Sequence, residues 1–374
     1  MESSEGRIRA AVRAPELARL FEGDGPVASV YLTTEAQVEN AAQRSMQHWK
    51  TVRGDLEKAG APVEVLDRIE EVVPDAHQEG ACLGVIARAD DVHVEHHAVP
   101  PPADLGHWGP LPAVLPLLRW RQKSPPVVVV LADRRGADLV ALRRDRPDVA
   151  RQAGGEEFPI TKVHAGGWSD RRYDQRVEKT WEDNARDVAA EVAGLATQVG
   201  ARLVVAAGDE RALALLRHEL DPGVAERLRT VEGGRGAGAG GVDGDALAAL
   251  VAIVVAADTD DVLAVFEEER GQHDRAADGV DATVDALRRA AVDVLVLSED
   301  FGRKTAWFGP DPTAVATRAR DLSGLGVEHP VEAHLADVLV RAALGTSAGV
   351  RLVPAERAPA DGVGAVLRWS SSPS

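Results

Sequence analysis

Hydrophobic and polar positions fall into three successive blocks along this chain. In the first, up to about residue 122, Val27-Ala28-Ser29-Val30-Tyr31-Leu32 is a short apolar run that predicts a strand, and a long helical stretch follows around residues 36–58. Val63, Leu66, Ile69 and Val73 recur at three- and four-residue spacing, which places them on one face of a second helix. Leu83-Gly84-Val85-Ile86 and Val92 to Val94, on either side of Asp90-Asp91, predict a hairpin. The Pro100-Pro101-Pro102 run and Pro110, Pro112 and Pro116 predict broken structure leading into a linker.

The second block opens at Pro125-Pro126. Val127-Val128-Val129-Val130-Leu131 suits a strand buried on both faces. Asp133-Arg134-Arg135-Gly136 has turn chemistry, and Ala137 to Leu142 is the returning strand. Beyond an irregular stretch, Val177, Trp181, Ala185, Val188, Val192 and Leu195 form one continuous stripe, predicting a helix over about Tyr173 to Thr197. Leu203-Val204-Val205-Ala206 follows as a strand, and Asp209 as the cap of a helix reaching about Leu220. The run GGRGAGAGG, Gly233 to Gly241, has no predicted strand before it and no Gly-Lys-Ser/Thr at its end, so a flexible linker is favoured over a phosphate loop.

A helix from Asp245 to about Glu269 leads into the third block. Val280, Val284, Leu287 and Ala291 make a helical stripe, Val292 to Leu297 a buried strand, Val331 to Leu344 a helix, and Val350-Arg351-Leu352-Val353 and Ala365-Val366-Leu367 two closing strands. This alternation predicts an α/β/α sandwich. The chain as a whole reads as α/β in three domains: a mixed α/β N-terminal domain over residues 1–122, a middle α/β domain over 123–257, and the sandwich over 258–374.

Composition narrows the class. Hydrophobic residues make up 45% of the 374, enough for packed cores, while aromatics at 4% leave those cores to Ala, Val and Leu. No apolar run reaches the roughly 20 residues of a membrane helix, residues 1–10 lack an apolar signal core, and Cys82 is the only cysteine. A cytoplasmic protein is expected, with no membrane partner and no cofactor. The net charge of −17 argues against a protein that coats DNA or other nucleic acid indiscriminately. The average hides local differences: residues 111–146 carry eight Arg/Lys against three Asp, and residues 241–300 carry fifteen acids against four Arg.

Several constellations are candidates for chemistry. His93, His96 and His97 beside Glu95 resemble a metal cluster, yet no further ligand group has suitable spacing, so no metal is expected. Cys82 reads as a small core residue. Arg134, Arg135, Arg143 and Arg144 flank the hairpin, either as grips on RNA phosphate or as a solvated edge that blocks strand pairing. No G-x-S-x-G motif and no Ser-His-Asp set can be assigned. Between hairpin and long helix, His164-Ala165-Gly166-Gly167-Trp168-Ser169-Asp170-Arg171-Arg172 puts two adjacent glycines before a tryptophan and a basic helix start that includes Arg176 and Lys179. Residues 160–180 hold five Arg/Lys against three acids, which fits an RNA-seeking loop or a solvated helix face.

That segment resembles the Gly-Gly-Gln loop and following basic helix of the archaeal and eukaryotic peptide release factor and Pelota superfamily. The shared features are the glycine pair, the following serine, the arginine spacing and the place in the domain. Leu203 to Gly208 resembles the family's strand ending in a small-residue turn. Glu269-Arg270-Gly271, Ala276-Ala277-Asp278-Gly279-Val280 and Val292 to Val296 resemble its C-terminal domain, a sandwich similar to the kink-turn RNA-binding ribosomal protein fold. The resemblance covers roughly residues 125–370 and lies in order and spacing.

Two departures shape the expected function. Trp168 stands where the family's glutamine helps place the attacking water; an indole has one N–H donor and no acceptor, so it cannot orient that water in the same way. The family's codon-reading motifs are not evident in residues 1–122. The resemblance therefore implies a non-catalytic protein that enters the A site of the 70S ribosome against ribosomal RNA, nearest in kind to Pelota and to the bacterial ribosome hibernation factor Balon. His164, Gly166, Gly167, Trp168, Ser169, Arg171, Arg172, Arg176 and Lys179 would approach the peptidyl-transferase centre, and the elongation factor EF-Tu is an implied companion. The alternatives are a peptidyl-tRNA hydrolase using Gln175, and an RNA-binding or scaffolding protein acting away from ribosomes.

Overall fold

The computed structural model describes residues 11, 13–23, 25–34, 40–76, 81–97, 103–133, 135–142, 149–154, 168–235 and 241–370, with the backbone alone at 154 and 168–181. Residues 1–122 and 257–374 form one compact unit, and residues 123–256 form a second.

In the first unit β1 (Val27–Thr33) is followed along the chain by helices α1 (Ala41–Lys58) and α2 (Val63–Val72) and then by β2 (Cys82–Ala87), β3 (Val92–His97) and β4 (Leu105–Gly109). The sheet order is β3-β2-β1-β4, antiparallel throughout. Strand alternation decides its two faces. Ala28, Val30 and Leu32 pack with Trp49, Val52 and Leu56 of α1 and Leu66 and Ile69 of α2. Val27, Tyr31, Cys82 and Ile86 face Leu117, Leu118 and Trp120 of α3 (Leu115–Lys123). The proline-rich segment therefore ends in a helix where a linker was expected. Pro116 sits in its first turn, where a missing N–H costs nothing because that donor has no partner within the helix.

In the second unit β5 (Val127–Asp133) and β6 (Gly136–Leu142) form the expected hairpin, and β7 (Val149–Gly154) extends it. The sequence did not signal β7, because Val-Ala-Arg-Gln-Ala-Gly carries little apolar alternation. Helix α4 (Trp168–Val199), β8 (Leu203–Gly208), α5 (Glu210–Glu219) and β9 (Leu228–Thr230) complete a sheet of order β7-β6-β5-β8-β9, with β5, β8 and β9 parallel. The valine run is buried on both sides. Val128 and Val130 meet Val188, Val192 and Leu195 of α4, whereas Val127 and Val129 meet Leu250 and Val254 of α6 (Gly244–Gly271). Asp209 caps α5, its side chain accepting from the N–H groups of Arg211 and Ala212 at 3.1 Å each. Asp209→Ala is expected to cost about 1 kcal/mol in denaturant unfolding. Asp221→Ala, at a helix start without a side-chain cap bond, should change stability by only a few tenths of a kcal/mol.

The glycine-rich run departs from a free linker at both described ends. Strand β9 lies just before it, Gly233 bridges Val242, and the Gly234 N–H donates to Gly241 O at 3.0 Å. A Cβ on Gly233 would lie 2.1 Å from that oxygen, so close backbone approach demands glycine here.

The rest of the first unit is the α/β/α sandwich. β10 (Ala276–Asp278), α7 (Val280–Arg288), β11 (Val292–Ser298), β12 (Thr305–Phe308), β13 (Val315–Ala316), β14 (Val331–His334), α8 (Leu335–Gly345), β15 (Gly349–Val353) and β16 (Val363–Leu367) follow in order. The main sheet runs β10-β16-β11-β15, and a small one runs β13-β12-β14. Val294 and Val296 pack against Val262, Val265 and Phe266 of α6, while Leu295 and Leu297 share the opposite core with Val338 and Leu339 of α8. Two expectations are corrected. Val331 to His334 is a strand paired with β12, and the helix starts only at Leu335, where pairing to Thr305–Phe308 overrides helical spacing. Helix α7 ends at Arg288, leaving Ala291 to lead into β11. One buried cluster joins residues of both ends of the chain. Gln122 staples them through its side chain, which bonds the Leu352 carbonyl at 2.6 Å and the Leu352 N–H at 2.9 Å.

Candidate functional site

Helix α4 is 32 residues long, which at the α-helical rise is about 48 Å. Its described buried positions start at Asn184 and continue through Ala185, Val188, Ala189, Val192, Leu195 and Ala196. At about 100° per residue, positions 168, 172, 176 and 179 share one side of the helix backbone, and the buried stripe occupies the other. The backbone thus aligns Trp168, Arg172, Arg176 and Lys179 in register, with Ser169 and Arg171 to either side. The helix begins at Trp168, about a turn and a half earlier than the apolar stripe indicated. His164, Gly166 and Gly167 lie outside the described residues, as do Arg134, Arg143 and Arg144. Arg135 is exposed in the β5–β6 turn, its N–H donating to Asp133 Oδ1 at 2.8 Å.

Sequence reasoning missed Arg235. Its Nε and Nη2 each reach one oxygen of Asp138 at 2.9 Å, and Nη1 lies 3.2 Å from both oxygens of Asp133. This bidentate pair ties the glycine-rich run to the hairpin. The Arg235 hydrogen bond, against a smaller opposing effect of burial, holds the Asp138 carboxyl below the usual carboxylate range. The available signal was one arginine inside a glycine run opposite two hairpin aspartates. A depression between α4, α5 and the hairpin, lined by Ala132, Asp133, Asn184, Val188, Arg211 and Leu215, takes only about 20 Å³. That is roughly one water, too little for a substrate.

The histidine cluster of β3 serves an ion pair. His93 Nε2 lies 2.8 Å and His97 Nε2 3.1 Å from Glu95, and Arg121 Nη2 donates to Glu95 at 2.6 Å. Burial raises the Glu95 pKa, but the bonds from His93, His97 and Arg121 outweigh it and hold the carboxyl well below its usual range. Arg121 also pairs with Glu16, and Trp120 packs its ring 4.4 Å from that of His97. The guanidinium occupies the position beside Glu95 that a cation would take. Among the described residues no group of three or more His, Cys, Asp or Glu side chains has metal-binding geometry. Cys82 is fully buried, and burial pushes its thiol pKa up. No helix among the described residues is long and apolar enough to cross a membrane.

Comparison with known proteins adds to this geometry. The model of "Bacterial archaeo-eukaryotic release factor family 2" matches residues 126–272. An uncharacterized protein of Mycobacterium tuberculosis is 30% identical over 372 residues, covering 96% of this chain and 98% of its own length. Among solved structures, Archaeoglobus fulgidus Pelota aligns at 13% identity and a TM-score of 0.35, over 96% of this chain and 92% of its own. An archaeal translation termination factor aligns at 15% identity and a TM-score of 0.25, over 96% and 99%.

Proposed function

The chain belongs to the bacterial archaeo-eukaryotic release factor family, and from that premise we propose that it is a non-catalytic ribosome-binding protein, a hibernation factor of the 70S ribosome. The reading is supported by the order Gly166-Gly167-Trp168, then Arg171, Arg172, Arg176 and Lys179, at the head of a 32-residue helix. The three-domain division at 122/123 and 257/258 is part of the proposal. The middle domain enters the A site, the glycine pair lets the segment at 164–167 approach the peptidyl-transferase centre, and the aligned Arg172, Arg176 and Lys179 contact ribosomal RNA phosphates. Arg171, Arg135 and the Ser169 hydroxyl are further proposed contacts with ribosomal RNA. EF-Tu is the proposed companion on the ribosome.

Co-sedimentation with vacant 70S ribosomes is the test. Binding at physiological salt is expected, and its absence would remove the proposal. Exchanging Arg172, Arg176 and Lys179 together for Glu should weaken binding by about tenfold or more and flatten its salt dependence, because each lost phosphate contact removes about 0.7–0.9 from the log–log slope. Gly166→Val with Gly167→Val should weaken binding and leave unfolding unchanged.

The hydrolase reading places Gln175 seven residues into α4, about 10 Å along the axis from Trp168. That separation supports binding over chemistry. Release of labelled peptide from stalled complexes, abolished by Gln175→Ala, would reverse the choice.

A further inference from the structure

Arg235 spans two parts of the β5–β6 hairpin that the backbone holds with different firmness. Asp138 stands on β6, whose ladder is paired on both sides, opposite Leu131 of β5 and Gln152 of β7. Asp133 closes the turn, its Oδ1 accepting the N–H groups of Arg135 at 2.8 Å and Gly136 at 3.1 Å. The guanidinium joins the two carboxylates, with Nε and Nη2 on the Asp138 oxygens at 2.9 Å and Nη1 3.2 Å from both Asp133 oxygens. The backbone leading into Arg235 is held as well. Gly233 bridges Val242, and Cβ atoms built on Gly233 and Gly234 would lie 3.2 Å from Ala207 Cβ and 3.3 Å from Gly208 Cα, at the end of β8.

A planar guanidinium carries its donors in a fixed fork, so tying a laddered strand to a turn sets the direction of the turn as well as its distance. Charge points the same way. Asp133 and Asp138 flank the exposed Arg135 in sequence, and without Arg235 two carboxylates would oppose a phosphate approaching that arginine. We propose that Arg235 is a positioning residue for RNA binding: by clamping Asp133 to Asp138 it presents Arg135, at the hairpin tip, to a ribosomal RNA phosphate. The inference rests on the ribosome-binding reading and adds to it a residue that acts through Arg135 without touching RNA itself.

Ribosome co-sedimentation of the full chain over a salt series separates positioning from charge. Asp138→Ala removes a negative charge, so charge alone would tighten binding to RNA, whereas loss of the anchor is expected to weaken it about threefold or more. Arg235→Lys keeps the charge but not the fork and should weaken binding similarly. Arg135→Ala should weaken binding, flatten the log–log salt slope by about 0.7–0.9 and abolish the further effect of Asp138→Ala. In the free chain, exchange of the Arg135 and Gly136 amides should quicken about tenfold in Asp138→Ala and Arg235→Lys, while Val128 to Val130 stay protected and show a folded domain. An Asp138→Ala variant that binds as well as the wild type, or better, would overturn the proposal. So would turn amides exchanging at the wild-type rate, or an Asp138→Ala effect that persists in full without Arg135. Absence of wild-type binding would instead remove the ribosome reading and this extension together.

Discussion

Glu95→Ala is expected to destabilise the first unit by about 3–5 kcal/mol, measured by denaturant unfolding at neutral pH. The magnitude follows from what would be left behind. The side chains of Glu95 and Arg121 are 5% and 4% exposed, so removing the carboxylate strands a guanidinium in the interior with only its bond to the half-exposed Glu16. Replacing both partners with apolar residues of similar size should cost much less, because the penalty lies in the unpaired charge and not in the loss of the pair. Glu95→Gln tests the electrostatic part by its pH dependence. The folded carboxyl titrates well below its usual range, so its contribution is complete above the ordinary glutamate pKa of about 4.3 and fades as pH falls toward the folded value. Wild type and Glu95→Gln should therefore differ most near neutrality and converge in acid. A constant difference down to acid pH would mean the carboxylate is not held by Arg121 and the histidines.

The second large effect is expected at Gly208, where β8 ends. A Cβ at this position would lie 1.8 Å from the carbonyl oxygen of Ala132 on β5, and φ is +141°, a backbone region that L side chains rarely adopt. The same Ala132 oxygen accepts the N–H of Asp209, the α5 cap, at 3.1 Å. Gly208→Ala must therefore separate two central parallel strands or twist β8 out of register, and a cost above about 4 kcal/mol is expected. Gly60 is the matched control. Its φ is +90° with open space around the position, so Gly60→Ala should cost only about 1 kcal/mol of backbone strain. Hydrogen exchange resolves the prediction by location. Amides of Val128 to Ala132 and Leu203 to Ala207 should lose protection in Gly208→Ala while those of Val294 to Leu297 keep it. Unchanged protection of β5 would show that the two strands do not approach as closely as described.

Asp209, the valine run and the α4 stripe were legible in the sequence because each signal is local. A capping side chain reads its own next three residues, and an apolar stripe reads its own helix turn. The strand at Val331 to His334 was not legible, since its four residues become a strand only by pairing with Thr305–Phe308. Helix α3 was hidden for a different reason: prolines signal breakage, yet a first-turn proline is compatible with a helix. At the candidate site the sequence supplied the glycine pair, the tryptophan and the basic residues, and the structure added the register that aligns four of them.

By itself the sequence determined the α/β class, the order of most elements, the Gly166-Gly167-Trp168 run and the basic start of α4, since each rests on residue identity or on spacing within one element. Only the tertiary structure decided that the two ends of the chain share a core and that Arg121 answers the β3 histidines through Glu95. Those facts join residues as distant as Gln122 and Leu352. Local periodicity fixes which face of an element is apolar, but which distant face covers it depends on the packing of the whole unit.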